Sequence, residues 1–198
     1  MTTAVAPVPP PGYPVTFDVE YPAELSRWLI FVKWLLSIPH YIIIYFLQLA
    51  QFVVLFIAFF AILFTKKYPQ GLFDFVVGVS RWNANYYVYI LLLRDEYPPF
   101  SMDAGKYPVS FDVEYPIELS RWLIFVKWLL IIPNALVLLV FMIAAYLVTL
   151  AAFFIILFTK KYPESLFTFV VGALRWSQRV TAYVMLMRDE YPPFSTEP

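Results

Sequence analysis

Two stretches put charge where the flanking sequence is apolar: SRWNAN at 80–85 and LRWSQR at 174–179. A helical repeat of about 3.6 residues sets Asp74, Gly78, Arg81 and Asn85 on one face. It sets Thr168, Gly172, Arg175 and Arg179 on the matching face of the second stretch. An arginine at the centre of a membrane helix costs about 2.5–3.5 kcal/mol on insertion scales, so these stripes must meet protein, water or lipid phosphate. One chemistry open to them is an anion path lined by Arg81, Arg175 and Arg179. The preferred reading is structural. The guanidiniums bond across helices to Gln48, Gln51, backbone carbonyls or a neighbouring subunit, with Gly78 and Gly172 allowing close approach.

Other reactive groups are sparse. His40, the single histidine, is a weak metal candidate; at an interfacial helix start it reads as a cap or headgroup contact. No haem or pigment is expected on it, and no metal elsewhere. Asp18, Glu20, Glu24, Asp95 and Glu96 recur in a second copy and are expected to pair with Arg27, Arg94 and their counterparts on a solvated surface. There is no cysteine, and no Ser-His-Asp set or phosphate-binding glycine loop is recognisable. The expectation is that the protein is not an enzyme, and that bound lipid is its only small-molecule companion.

The elements that carry these residues are duplicated. A shift of 94 residues aligns 13–101 with 107–195 without a gap; ELSRWLIFVKWLL, LFTKKYP, FVVG and RDEYPPFS occur in both. This divides the chain into a Pro-rich tail (1–12) expected to be disordered, a repeat (13–101), a linker (102–106) and a second repeat (107–198). No signal peptide is recognisable at the start. In each repeat VTFDVEY or its equivalent reads as a short extramembrane strand. Residues 24–38 read as an amphipathic helix at the headgroup level, anchored by Arg27, Trp28, Lys33 and Trp34, and in the second repeat by Arg121, Trp122, Lys127 and Trp128. Residues 41–64 and 135–158 carry no charge and have spanning length. Residues 72–93 and 166–187 have the length but carry the polar stripes.

The fold expected is therefore an all-α integral membrane protein of two tandem parallel repeats, each an interfacial helix plus a two-helix transmembrane hairpin. That makes four spans, with six as the alternative. Identical KKYP loops favour placing both on one face of the membrane. The expected location is the inner (plasma) membrane, multi-pass, with both termini cytoplasmic.

Composition agrees. Of 198 residues 62% are hydrophobic and 21% aromatic, and mean hydropathy is +0.71, beyond the usual soluble domain. Fourteen basic residues balance fourteen acidic ones, which removes an electrostatic case for nucleic acid. Strings such as SRWLIFVKWLLSIPH, FAILFTKKYPQGLFDFVVG and YPPFS resemble the bacterial membrane family termed domain of unknown function 4389, over about nine tenths of the chain. The second copy departs from it with IPN for IPH and ESLFTF for QGLFDF. That resemblance implies no activity. The function expected is a non-catalytic scaffold or accessory subunit packing with itself or other membrane subunits among lipids. The alternative is an oligomeric channel or transporter for an anion or small solute.

Overall fold

The computed structural model describes residues 12–198, so the expected tail lies outside the described residues apart from Gly12. Each repeat contributes a strand and three helices: β1 Val15–Val19, α1 Leu29–Leu36, α2 Ile38–Thr65 and α3 Gln70–Ile90, then β2 Val109–Val113, α4 Leu123–Leu130, α5 Ile132–Thr159 and α6 Glu164–Val184.

The short and long helices are not separate bodies. Between α1 and α2 only Ser37 intervenes, in right-handed helical conformation, and helix runs from Leu29 to Thr65. Pro39 has no N–H to give, which accounts for the interruption without a change of direction. Thirty-seven residues make about 55 Å of axis. The expected interfacial helix is thus the first two turns of the long one. Lys66 and Lys160, left-handed at φ 61°, stop the long helices by returning their N–H groups to Ile62 and Ile156. Leu92 and Leu186 end α3 and α6 the same way, with the N–H of Leu93 on the carbonyl of Val88.

The repeats are antiparallel, which corrects the parallel expectation. β1 pairs with β2 antiparallel, Phe17 opposite Phe111. The backbone and aromatic contacts across the repeats come in mirrored pairs. The Leu25 N–H donates to Lys160 O and the Leu119 N–H to Lys66 O, both at 2.8 Å. Phe31 packs edge-on to Phe153, and Phe125 to Phe59. The start of each long helix therefore meets the end of the other, and a pseudo-two-fold axis crosses them at right angles. The KKYP loops stand at opposite ends of the molecule. The physical reason lies in 96–118. Helices α2 and α3 form a hairpin that returns the chain to its start, and the extended segment containing β2 then carries it back along α3. The even helix count presumed in the parallel reading overlooked this third, non-helical crossing.

Three layers result. The β1–β2 ribbon lies on α3 and α6, burying Val15, Phe17, Val19 and their equivalents and turning Thr16, Asp18, Ser110 and Asp112 outward. Helices α3 and α6 are the middle layer and are mostly buried. Helices α1–α2 and α4–α5 stand on the far side as two apolar ridges. From Trp28, 80% exposed, to Phe64, 71% exposed, their outer surfaces are almost wholly apolar. Of the described helices, two are long and apolar enough to cross a membrane: Leu29–Thr65 and Ile132–Thr159.

Candidate functional site

The polar stripes form the attachment between layers. From α3, Arg81 donates to Phe111 O (3.1 Å), Met102 O (2.8 Å) and Asp112 Oδ1 (3.2 Å). From α6, Arg175 makes the same set with Phe17 O (2.8 Å), Thr196 O (2.9 Å) and Asp18 Oδ1 (3.0 Å). One guanidinium thus supplies the strand's outer-edge acceptor, the following strap and a carboxylate together, which its fork of donors suits. The acceptors come from backbone and from the other strand, not from Gln48 or Gln51. The carboxylate that pairs with Arg175 of the second repeat is Asp18 of the first.

Close approach follows from the glycines. A Cβ on Gly78 would stand 2.8 Å from Met102 Cβ, and one on Gly172 2.8 Å from Thr196 Cβ. Arg179 donates to Ser195 O (3.3 Å) and Glu197 O (2.7 Å) and lies over the Tyr13 ring. Its repeat-one equivalent, Asn85, is buried. Asp74 and Thr168 sit exposed near the helix starts and take no part in the clamp.

The expected anchors divide. Trp28, Trp34, Trp122 and Trp128 are exposed on the ridges. Arg27 and Arg121 stand at the ridge ends, donating to Phe158 O and Phe64 O of the opposite repeat. Lys33 and Lys127 do not snorkel, contrary to expectation: they are 1% and 2% exposed. Lys33 Nζ meets Asp95 Oδ1 at 2.8 Å and Arg94 O at 2.6 Å, over the ring of Tyr89. Lys127 repeats this with Asp189, Arg188 and Tyr183. At helix positions facing α3 and α6, the ammonium has a closer acceptor than any headgroup.

Beside them Arg94 binds Glu96 through two nitrogens (3.0 and 2.6 Å) and reaches Glu20 O (2.8 Å). Its hydrogen bonds hold the Glu96 carboxyl below the usual carboxylate range. Burial, with the Glu96 charge nearby, pushes the Tyr107 hydroxyl up.

His40 is fully buried. Its Nδ1 accepts from Trp82 Nε1 at 2.9 Å, the ring stacks on Phe100, and Nε2 faces the Pro98 carbonyl without a well-formed bond. Asn134 does the same work in the second repeat, accepting from Trp176 (2.8 Å) and donating to Pro192 O (2.8 Å). The change from IPH to IPN keeps one acceptor and one donor. These rings and carbonyls leave His40 no open side for haem iron. Among the described residues no group of three or more His, Cys, Asp or Glu is placed to hold a metal.

One feature lay outside the sequence reading: a cleft of about 370 Å³ at the pseudo-two-fold, between α2 and α5 and floored by α3 and α6. Gln48, Gln51 and Asn83 face Ser177, Gln178 and Thr181 across it. The signal available in the sequence was Gln48 and Gln51, two amides three residues apart in an uncharged run.

The model of the family described as domain of unknown function 4389 matches residues 27–102 and 121–196. No curated protein matches the chain, and no solved structure does. Each matched segment contains one long helix, one buried Lys–Asp pair, one arginine clamp and the YPPF strap, and together they cover more than half of the sequence. The chain belongs to the domain of unknown function 4389 family, in two tandem copies.

Proposed function

We propose that this protein is a non-catalytic membrane scaffold or accessory subunit, held in the bilayer by its ridges and packing with copies of itself or with other membrane subunits. The observation that carries the reading is two-sidedness. One side of the molecule is apolar along two long helices; the other is a polar ribbon bearing Asp18 and Asp112, whose side chains are 70% and 72% exposed. The pseudo-two-fold passes through both sides.

This symmetry bears on orientation. Were the long helices to span, the axis would lie at mid-bilayer, placing the ribbon carboxylates where each charge costs about 2.5–3.5 kcal/mol. The ridges, at about 55 Å, also exceed the roughly 30 Å hydrocarbon core. With the axis along the membrane normal, the ridges lie in one leaflet, the exposed tryptophans sit at its boundary and the ribbon faces water. We therefore favour a molecule lying in one leaflet of the inner membrane over the multi-pass arrangement.

Single cysteines at Thr16, Thr65 and Thr159, probed with an impermeant maleimide in intact and lysed cells, test this. All three should react together, in one condition or the other. Opposite accessibility of Thr65 and Thr159 would restore the spanning arrangement. Native mass measurement in mild detergent should give oligomers or co-purifying subunits; a lone monomer sinks the scaffold role, and an anion current from it would favour a channel.

A further inference from the structure

We propose that the cleft on the pseudo-two-fold binds one uncharged lipid with a hydroxylated head, of the diacylglycerol class; this rests on the membrane reading above. The cleft opens between the ridges, where Phe52, Leu55 and Met142 form an apolar rim, so its mouth faces acyl chains in that orientation. Its lining is polar but carries no charge. The amides of Gln48, Asn83 and Gln178 make no hydrogen bond among the described residues, and Gln51 reaches Val76 O only at 3.5 Å. Unpaired amides beside hydrocarbon are costly, so the arrangement calls for a hydrogen-bonding guest. Amides and hydroxyls without a cation or carboxylate fit hydroxyl and ester groups, and offer no countercharge to a phosphate or an amine. A neighbouring hollow of about 360 Å³ shares Gln48, Asn83, Tyr87 and Tyr146, giving length for an acyl chain, and each hollow falls within the usual size of ligand pockets.

The duplication supplies an independent observation. Positions equivalent to Gln48, Gln51 and Ser80 are Met142, Ala145 and Leu174. The arginine clamps and buried lysine pairs retain their chemistry in both repeats, whereas here each repeat brings a different polar set, Gln178 and Thr181 standing where the first repeat has Ala84 and Tyr87. A single asymmetric guest on a two-fold axis meets both repeats at once and has no need of two identical halves. Residues 41–60 and 135–154, which form the cleft walls, share only five identities.

The test uses the purified full chain in nanodiscs with a diazirine-bearing diacylglycerol. Saturable labelling of peptides from α2 and α5, competed by unlabelled dioleoylglycerol and not by dioleoylphosphatidylglycerol, is expected. The Gln48→Leu, Gln51→Leu, Asn83→Leu triple variant should lose about tenfold or more in labelling, because several hydrogen bonds to the guest are removed together, and melt no lower than wild type. Met142→Trp, filling the cleft from α5, should block labelling independently. Labelling that is unsaturable, equal with the phosphatidylglycerol probe, or unchanged in both variants overturns the proposal and leaves water as the guest. A protein that does not float with liposomes refutes the membrane reading instead.

Discussion

Three kinds of buried polar position carry this fold: a lysine, an arginine and a histidine or asparagine, each hydrogen-bonded within the chain. The histidine is the most instructive. Its value lies in offering an acceptor to Trp82 and presenting its other edge to the Pro98 carbonyl, a geometry an asparagine reproduces in the second repeat. We expect His40→Asn to change stability by only about 1 kcal/mol, the loss of stacking on Phe100 being partly offset by a better bond to Pro98. His40→Leu should cost about 1–3 kcal/mol, because the Trp82 indole N–H is left buried and unpaired. Thermal melts of the two variants in one detergent check this; equal melts would show the ring to be mere filler. Lys33 follows the same logic. Burial lowers the pKa of its ammonium, and Asp95, which it meets at 2.8 Å, works against that shift.

At the scale of elements, the extended segments do more than link helices. After α3 the chain EYPPFSMDAGKYPVSFDV is fastened at Glu96, Met102, Phe111 and Asp112, by Arg94 at one end and by Arg81 further along. At Gly78 the strap packs directly on the helix. Gly78→Ala puts a methyl 2.8 Å from Met102 Cβ, an overpacking expected to cost about 1–3 kcal/mol. Hydrogen exchange of 102–113 should quicken while that of α2 does not. Adding Met102→Gly removes the opposing Cβ and should restore much of the protection; if it does not, the contact is not what holds the strap.

For the molecule as a whole, the consequence is inversion: two repeats of one fold face opposite ways along the long axis. Lys66 Nζ lies 3.6 Å from Glu118 Oε2, although residues 66 and 118 belong to different repeats. A short bismaleimide should therefore join Lys66→Cys to Glu118→Cys within one chain. The Lys66→Cys, Lys160→Cys pair, at opposite ends of ridges about 55 Å long, should resist it. Mass spectrometry of the monomer band distinguishes the two, and the reverse pattern would return the repeats to a parallel arrangement.

The duplication, the uncharged helices and the strands were all legible in the sequence, because each is a local property: identity at a fixed offset, apolar length, alternation between prolines. Within two or three residues, 70–90 and 164–184 could be read as helices for the same reason. The arginines were rightly seen as needing partners, since burial without them is costly wherever it occurs. Which partners they have was decided by tertiary structure alone, because Arg175 and Asp18 stand 157 residues apart and meet only once the ribbon pairs across repeats. Direction was decided there too. Counting helical crossings treats 96–118 as a loop that returns nowhere, whereas its backbone, clamped along α3, travels the length of the bundle. Lys33 reads as a snorkelling anchor in any amphipathic wheel; only Asp95, brought beside it by the α2–α3 hairpin, turns it inward. The cleft belongs to tertiary structure most completely, for its polar groups come from helices of both repeats and share nothing in sequence but the absence of charge.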